Sequence, residues 1–265
     1  MFPEIASGRR FLLCMFALAA AVALVLAPQG ARAQNTLAKI KQDGVVRIAN
    51  SGVFPPFEFK EGDKLAGFDV DLSNLVAKEL GVKPEITVID FKGLIPALKS
   101  GKVDLLITAL TYQPARAEQV AFSEPYYETA AAIAMLADKK PVKSKNDLAG
   151  MVLGAELGTT GEQEARSIEG VKEVKTYDTL MLALRDLEIG RTDAVISNLP
   201  NLQYLIHTNF SQTKVVATYN AGWVGINARK EDPALMVEIN RILTKLKGND
   251  QLNKLYMTWF GEVHK

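Results

Sequence analysis

Cysteine and histidine are nearly absent from this chain of 265 residues. It holds one cysteine, Cys14, and two histidines, His207 and His264. A single cysteine cannot form an internal disulfide, and structural zinc sites use several thiolate or imidazole ligands. We therefore expect no metal, no cofactor and no thiol chemistry, and a fold that is stabilised by burial of apolar side chains.

A surplus of one charge is also absent. Residues 1–33 carry three of the 31 basic and one of the 30 acidic side chains, which leaves 28 basic and 29 acidic residues after Ala33. A chain without a strong positive field has no general attraction for nucleic acids or for anionic membrane surfaces. We therefore expect no nucleic-acid partner.

One long apolar run is present, and it lies at the N-terminus. Arg9 and Arg10 precede 17 apolar residues over 11–27, and a small-x-small pattern, Ala31-Arg32-Ala33, follows. This order predicts a secretory signal peptide over residues 1–33 that is cleaved after Ala33. The alternative is an uncleaved anchor, because the run is near the lower limit of lengths that span a bilayer.

Short apolar strands alternate with amphipathic helices after the signal. The spacing predicts strands over 45–49, 86–89 and 103–108, and helices over 68–80 and 94–99. Two further helices are predicted between residues 233 and 260. Alternation of this kind is typical of an α/β fold with a mainly parallel sheet flanked by helices.

The second half of the chain repeats part of this pattern. The segment 98–107 (LKSGKVDLLI) has a counterpart 89 residues later at 187–196 (LEIGRTDAVI), with the glycine, the basic residue and the aspartate in matching positions. A repeat at this distance predicts two similar α/β lobes rather than a solenoid. Ligands of open α/β sheets bind beyond the carboxyl ends of the strands, so we expect a cleft formed by loops 50–58, 90–93, 108–116 and 156–161 and the strand end at 197–198.

At these loops the sequence resembles the polar amino-acid-binding proteins of ABC importers, which are solute-binding protein family 3 with the type II periplasmic binding fold. The resemblance runs from about residue 37 to Gly261, and its matching segments are 54–59, 67–72, 93–98, 100–104, 122–126, 157–160 and 190–193, together with Arg116. It implies lobe one over 34–128 plus 220–265, lobe two over 129–219, and two hinge crossings. It also implies a periplasmic monomer that captures a small amino-acid-like ligand by hinge closure and delivers it to a membrane permease.

The resemblance further implies a binding site. Arg116 would bind a ligand carboxylate with its guanidinium fork, Phe54 and Phe91 would form aromatic walls, and the loop before Arg116 would complete the polar contacts. The positions carried over from the family are Ser51, Phe54, Phe91, Thr108, Ala109, Thr111, Arg116, Glu156, Thr159, Thr160 and Asn198. Without the resemblance, Arg116 reads as a surface arginine at a helix start, the two phenylalanines as core residues, and Thr159 and Thr160 as N-caps.

Two positions depart from the family pattern. Members that bind ordinary α-amino acids commonly have an acidic residue where this chain has Asn198, and often another where it has Ser51. Neither residue supplies a formal charge for the ligand ammonium, and an uncompensated charge in a closed cleft is costly. We therefore expect that the ligand amine is absent, modified or displaced, or that Glu156 neutralises it. The alternative for Glu156 is a solvated loop glutamate with no ligand role.

Two other functions remain open. The same fold hosts a dehydratase that acts on prephenate-like substrates, in which Glu156 would serve as general acid. A ligand-sensing protein is the other possibility. Because the chain ends at Lys265, such a sensor would have to dock to a separate membrane partner.

Overall fold

The computed structural model describes residues 36–261, so the predicted signal peptide lies outside the described residues. The helices are α1 Thr36–Asp43, α2 Phe68–Leu80, α3 Leu94–Lys99, α4 Pro114–Ala117, α5 Thr160–Ser167, α6 Leu180–Glu188, α7 Leu199–Asn209, α8 Pro233–Gly248 and α9 Gln251–Phe260. The strands are β1 Val45–Asn50, β2 Val53–Phe54, β3 Glu58–Glu61, β4 Lys64–Ala66, β5 Lys83–Val88, β6 Leu105–Leu106, β7 Ala121–Phe122, β8 Tyr127–Leu136, β9 Val152–Glu156, β10 Glu173–Tyr177, β11 Ala194–Asn198, β12 Thr213–Val224 and β13 Asn227–Ala228. Single 3-10 turns cover Phe91–Gly93 and Lys145–Leu148.

The first sheet, which defines lobe one, has the strand order β5-β1-β6-β13-β7. Strands β5, β1 and β6 are parallel, whereas β13 is antiparallel to both of its neighbours. Helix α2 packs its buried residues Phe68, Leu72, Val76 and Leu80 against this sheet, and Gly81 ends it in the left-handed conformation, as the spacing predicts. Helices α8 and α9 contribute to the same core.

One predicted strand is much shorter than expected. The apolar pattern predicts a strand over 103–108, but only Leu105–Leu106 takes that conformation. The Asp104 N–H donates to Arg47 O and the Ile107 N–H to Ala49 O, so contact with β1 continues on both sides. On its other edge β6 meets β13 at a single residue pair, Leu106 and Asn227. The chain is therefore free to turn into the cleft at Thr108.

The second sheet, which defines lobe two, has the order β10-β9-β11-β8-β12. Strands β10, β9 and β11 are parallel, and β8 and β12 are antiparallel to their neighbours. The order β10-β9-β11 repeats the order β5-β1-β6 of lobe one. Each lobe thus extends a three-stranded parallel unit by two strands that pair antiparallel with their neighbours. These strands are β13 and β7 in lobe one, and β8 and β12 in lobe two.

The repeated aspartate of the sequence has the same structural role in both lobes. Asp104 Oδ2 accepts a hydrogen bond from the Arg47 N–H at 3.0 Å, and Asp193 Oδ2 accepts one from the Val152 N–H at 2.7 Å. Each carboxylate therefore ties the strand that follows a helix to the first strand of its lobe. The predicted duplication is confirmed at the level of individual hydrogen bonds.

Strands β8 and β12 carry the chain between the lobes. They pair from Tyr127 and Val224 at one end to Leu136 and Thr213 at the other, with an irregularity at Asn220, which has a φ of 49°. The two-stranded connection lies in the second sheet and meets the first lobe at its cleft end.

Gly161 permits the close approach of helix α5 to strand β11. A Cβ added at Gly161 would lie 2.4 Å from the backbone oxygen of Ile196. Helix α5 begins at Thr160, so this contact fixes the position of the helix N-terminus next to the end of β11. No side chain larger than hydrogen fits there without a backbone shift.

We expect Gly161→Ala to lower the free energy of unfolding by about 1 to 3 kcal/mol, because the added methyl group forces α5 away from β11. Urea unfolding measures this loss. Gly248→Ala is the matched control: it lies in helix α8 with open space around its added Cβ, and we expect a gain of up to about 1 kcal/mol. Equal stability of Gly161→Ala and the unmodified protein would contradict the packing argument.

Candidate binding site between the lobes

A small cavity lies between the lobes, with a volume of about 20 Å³. Eight of the eleven predicted site residues line it, together with Gly161 and Ser197; the eight are Phe54, Phe91, Ala109, Thr111, Arg116, Thr159, Thr160 and Asn198. The volume holds about one water molecule, so the cleft is closed around these groups. Ser51, Thr108 and Glu156 are not among the lining residues.

Arg116 is the only ionisable residue that lines this cavity. The residue is 6% exposed, and its Cζ lies 5.5 Å from the Phe91 ring centroid. Its Nη1 donates to Thr111 O at 2.9 Å, and its Nη2 donates across the cleft to Gly158 O at 3.0 Å. Three N–H donors of the guanidinium remain for a ligand. Burial lowers the pKa of Arg116 to about 10, so the group stays charged at neutral pH.

No carboxylate of the described residues 36–261 forms an ion pair with Arg116. Its two protein partners are neutral carbonyl oxygens. A buried cation without a counter-charge is unfavourable, whereas a carboxylate can take the remaining guanidinium donors in a bidentate pair. The arrangement is therefore suited to an anionic ligand group.

The N-terminus of helix α5 supports the same charge preference from lobe two. Thr159 caps the helix: its Oγ1 accepts from the Glu162 N–H and donates to Glu156 O at 2.7 Å. Thr160 and Gly161 begin the first turn, where N–H groups have no partner within the helix, and both residues line the cavity. The N-cap role and an anion-binding role are thus compatible.

Two aromatic side chains border the cavity, as the resemblance implies. Phe91 lies in the 3-10 turn of lobe one and is partly exposed. Phe54 is 9% exposed and stacks on Phe57, with ring centroids 5.9 Å apart. Phe57 itself is fully buried, as expected for a core residue. Phe54 therefore belongs to both the core and the cavity wall.

Asn198 ends strand β11 and lines the cavity from lobe two. Its Oδ1 accepts the hydroxyl hydrogen of Thr129 from strand β8. The amide oxygen is thereby used within the protein, and the Nδ2 donors remain. At this position the site consequently offers hydrogen-bond donors rather than the negative charge that an α-ammonium group would need.

Ser51 and Thr108 do not line the cavity and instead bind a buried carboxyl group. Ser51 Oγ donates to Glu58 Oε1 at 3.0 Å, and Thr108 Oγ1 donates to the same oxygen at 2.6 Å. Both residues are buried, so their hydroxyl groups are used to hold Glu58. Their side chains support the loops of the site.

Glu58 and Asp69 form a hydrogen-bonded pair of fully buried carboxyl groups. Burial and the nearby Asp69 charge raise the pKa of Glu58 well above its usual range, and burial raises the pKa of Asp69 to about 7. Glu58 Oε2 and Asp69 Oδ1 have no other hydrogen-bond partner in the described part of the chain. One proton held by Glu58 and donated to Asp69 satisfies both oxygens.

Asp69, the hydrogen-bond acceptor of the pair, fixes the conformation of Ala109. Asp69 Oδ2 accepts from the Ala109 N–H at 2.6 Å and from the Tyr126 hydroxyl at 3.0 Å. Ala109 has a φ of 45°, a left-handed conformation that is unfavourable for residues with a side chain. The carboxylate thus stabilises the sharp turn that carries the chain along the cavity, and the Ala109 N–H is not available to a ligand.

Glu156 ends strand β9 but does not line the cavity. Its side chain is buried and accepts a hydrogen bond from the Leu180 N–H at the start of helix α6, while Oε2 has no partner among residues 36–261. Burial raises the pKa of Glu156 to about 8. In this closed arrangement the carboxyl group is directed toward a helix N-terminus of its own lobe.

Three further contacts join the lobes outside the cavity. Asn201 Nδ2 donates to Pro55 O at 2.6 Å, the Phe59 and Tyr204 rings lie 5.6 Å apart, and Lys92 Nζ is 3.9 Å from Asp178 Oδ1. The first two are partly or fully buried, whereas the ion pair is exposed. Part of the surface buried by closure therefore lies between the two lobes, outside the cavity.

The profile of the family described as bacterial extracellular solute-binding proteins, family 3, matches residues 46–262. The chain belongs to this family. The arginine-binding extracellular protein ArtP of Bacillus subtilis is 33% identical over 80% of this chain and 85% of its own length. The L-cystine-binding protein TcyJ of Escherichia coli K12 is 30% identical over 86% of this chain and 87% of its own length. A solved structure of an ancestral arginine-binding protein bound to arginine has a TM-score of 0.78 and 38% identity, and the alignment covers 82% of this chain and 98% of that one.

These similarities confirm the family and the two-lobed α/β fold expected from the sequence. Within the part of the chain that the structure describes, no helix is both long and apolar enough to cross a membrane. The same residues contain no cluster of three or more histidine, cysteine or acidic side chains placed to hold a metal ion.

Sequence reasoning missed the support under the site, namely Glu58, Asp69 and Tyr126. A signal for Glu58 was present, since it stands between Phe57 and Phe59 directly after the loop that carries Phe54. It was missed because a charged residue in a predicted loop normally indicates exposure. The partners that allow its burial come from residues 51, 69 and 108, and only the fold brings them together.

The proton-sharing pair gives a prediction for stability against pH. Burial raises the folded pKa of Glu58 and Asp69, so the stability that these groups contribute is complete below their usual values of 4.5 and 3.8. It is lost as pH rises through the folded pKa, about 7 for Asp69. Glu58→Gln removes one titrating group while its amide still donates to Asp69. Between pH 5 and 7 we expect unfolding free energy to fall less steeply in this variant, by up to about 1.4 kcal/mol per pH unit.

Urea unfolding at several pH values measures the two slopes. Glu61→Gln, an exposed glutamate on the same strand, is the control and should retain the slope of the unmodified protein. A Glu58→Gln protein with an unchanged or steeper slope would show that the two carboxyl groups do not share a proton.

Proposed function

We propose that this protein is the periplasmic receptor of an ABC importer, and that it captures an amino acid or a related small carboxylate between its lobes. The observation that carries the proposal is the buried Arg116 guanidinium, which lines the cavity and has only carbonyl partners. The family is described as extracellular, and the relatives named above bind arginine or L-cystine according to their names. An amino-acid-like carboxylate fits both lines of support.

The proposed ligand contacts come from both lobes. Arg116 and the Ala109–Thr111 loop belong to lobe one, whereas Thr159, Thr160 and Asn198 belong to lobe two. A carboxylate between Arg116 and the N-terminus of α5 would be stabilised only when the lobes are together, because the opposing groups are then in reach. Binding would therefore favour the closed state, and release would require hinge opening.

Capture and release also concern the contacts that join the lobes outside the cavity. Two such contacts add modest stability to the closed state without the ligand, namely the Asn201–Pro55 hydrogen bond and the Phe59–Tyr204 ring contact. A receptor needs an open state of comparable free energy, so that ligand binding shifts the population. We propose that the closed protein, as a monomer, presents its ligand to a membrane permease.

Catalysis by a dehydratase of this fold would need an acid beside the bound substrate. The residues that line the cavity have no acidic side chain, and Glu156 is held at the start of helix α6. The geometry therefore favours a receptor over the dehydratase alternative.

Arg116→Ala should reduce affinity for the amino acid that binds best in a thermal-shift screen by at least about a hundredfold, because the ligand carboxylate would lose its buried counter-charge. Isothermal titration calorimetry measures the change. Arg116→Lys retains the charge without the planar fork, and we expect an intermediate loss.

The control is Arg185→Ala, which removes an exposed arginine of helix α6 and should leave affinity unchanged. Circular dichroism checks that each variant is folded. Retained affinity in a folded Arg116→Ala protein would exclude Arg116 as the carboxylate anchor.

A further inference from the structure

A second, larger cavity adjoins the first on the side of the hinge strands. Its volume is about 160 Å³, and Thr111, Thr160 and Asn198 line both cavities. We call this space the hinge chamber. Because these three residues line both spaces, the chamber is the immediate neighbour of the cavity at Arg116.

The hinge chamber has a mixed polar and apolar lining and contains one carboxylate, that of Glu164. Asn220 Nδ2 donates to Glu164 Oε1 at 2.8 Å, and Lys145 Nζ lies 3.8 Å from Oε2. The Glu164 side chain is 25% exposed, so it is accessible from the chamber. An ionised carboxylate accepts about four hydrogen bonds, which leaves capacity for a ligand group.

Among all residues that line the two cavities, Glu164 is the only acidic one. Asn198 offers amide donors at the end of β11, and Glu156 lines neither space. A zwitterionic ligand anchored at Arg116 therefore meets one acidic side chain along the two cavities, and its cationic group would share that carboxylate with Lys145.

The spacing along helix α5 sets the length of such a ligand. Thr160 and Glu164 are four residues apart, so they lie on the same face of the helix, about 6 Å apart along its axis. In an α-amino acid one carbon separates the carboxylate from the ammonium, which would place the ammonium beside Asn198. A cationic group several bonds away from the carboxylate would reach Glu164.

We infer that Glu164 is a specificity-determining residue, and that the preferred ligands are zwitterions whose cationic group is separated from the carboxylate by several bonds. The inference rests on the proposed function, because it takes Arg116 as the carboxylate anchor. On this inference Glu164 of the hinge chamber binds the cationic group of the ligand, for which Ser51 and Asn198 supply no negative charge.

The test compares straight-chain ω-amino carboxylates of three to six carbons with the matching unsubstituted carboxylates and with the matching L-α-amino acids, by calorimetry. We expect at least one ω-amino carboxylate to bind at least tenfold tighter than both of its matched compounds. In Glu164→Gln, which retains an acceptor for Asn220, this preference should fall by at least tenfold. Glu169→Gln removes an exposed glutamate just after helix α5 and should retain it.

A second variant keeps the test informative if Glu164→Gln is poorly folded. Asn198→Asp places a negative charge where an α-ammonium would lie, and should shift the preference toward L-α-amino acids. An unchanged preference in a folded Glu164→Gln protein, or tighter binding of L-α-amino acids than of every ω-amino carboxylate by the unmodified protein, would overturn the inference. Binding of L-α-amino acids that still depends on Arg116 would leave the proposed function intact, whereas binding that is independent of Arg116 would remove both.

Discussion

Arg116 carries a positive charge in the closed cleft, and no carboxylate of residues 36–261 compensates it by an ion pair. The surroundings increase this imbalance, since the N-terminus of helix α5 adds positive potential from the opposite lobe. A protein that keeps such a charge buried is most stable when an anion is present. Under the proposed function, ligand binding, closure of the cleft and compensation of this charge would therefore be one event.

The buried carboxyl pair has the opposite character. Glu58 and Asp69 are enclosed by hydroxyl and N–H donors within lobe one, so their interactions are complete without a ligand. They hold Ser51, Thr108 and Ala109 in place through contacts that lie within lobe one. Under the proposed function, lobe one would be prepared in advance, whereas the contribution of lobe two would depend on closure. Preorganisation of one half lowers the conformational cost of capture.

The sequence was most informative where local chemistry decides the structure. The helix Phe68–Leu80 with its Gly81 cap, and the repeated Asp104 and Asp193, could be predicted because spacing and residue type are sufficient there. The strand predicted over 103–108 was too long, because β6 has only one partner residue on its second edge. Eight site positions line the cavity, but the support by Glu58 and the hinge chamber with Glu164 depend on residues far apart in the chain, so no local pattern indicates them.

The most direct test of the account is a crystal structure of the mature protein with the ligand that it retains on purification, after native mass spectrometry has given the ligand mass. The account predicts a ligand between the lobes whose carboxylate oxygens accept hydrogen bonds from the Arg116 guanidinium and face the N-terminus of helix α5. A ligand without an anionic group at Arg116, or one that binds outside the cleft, would contradict it.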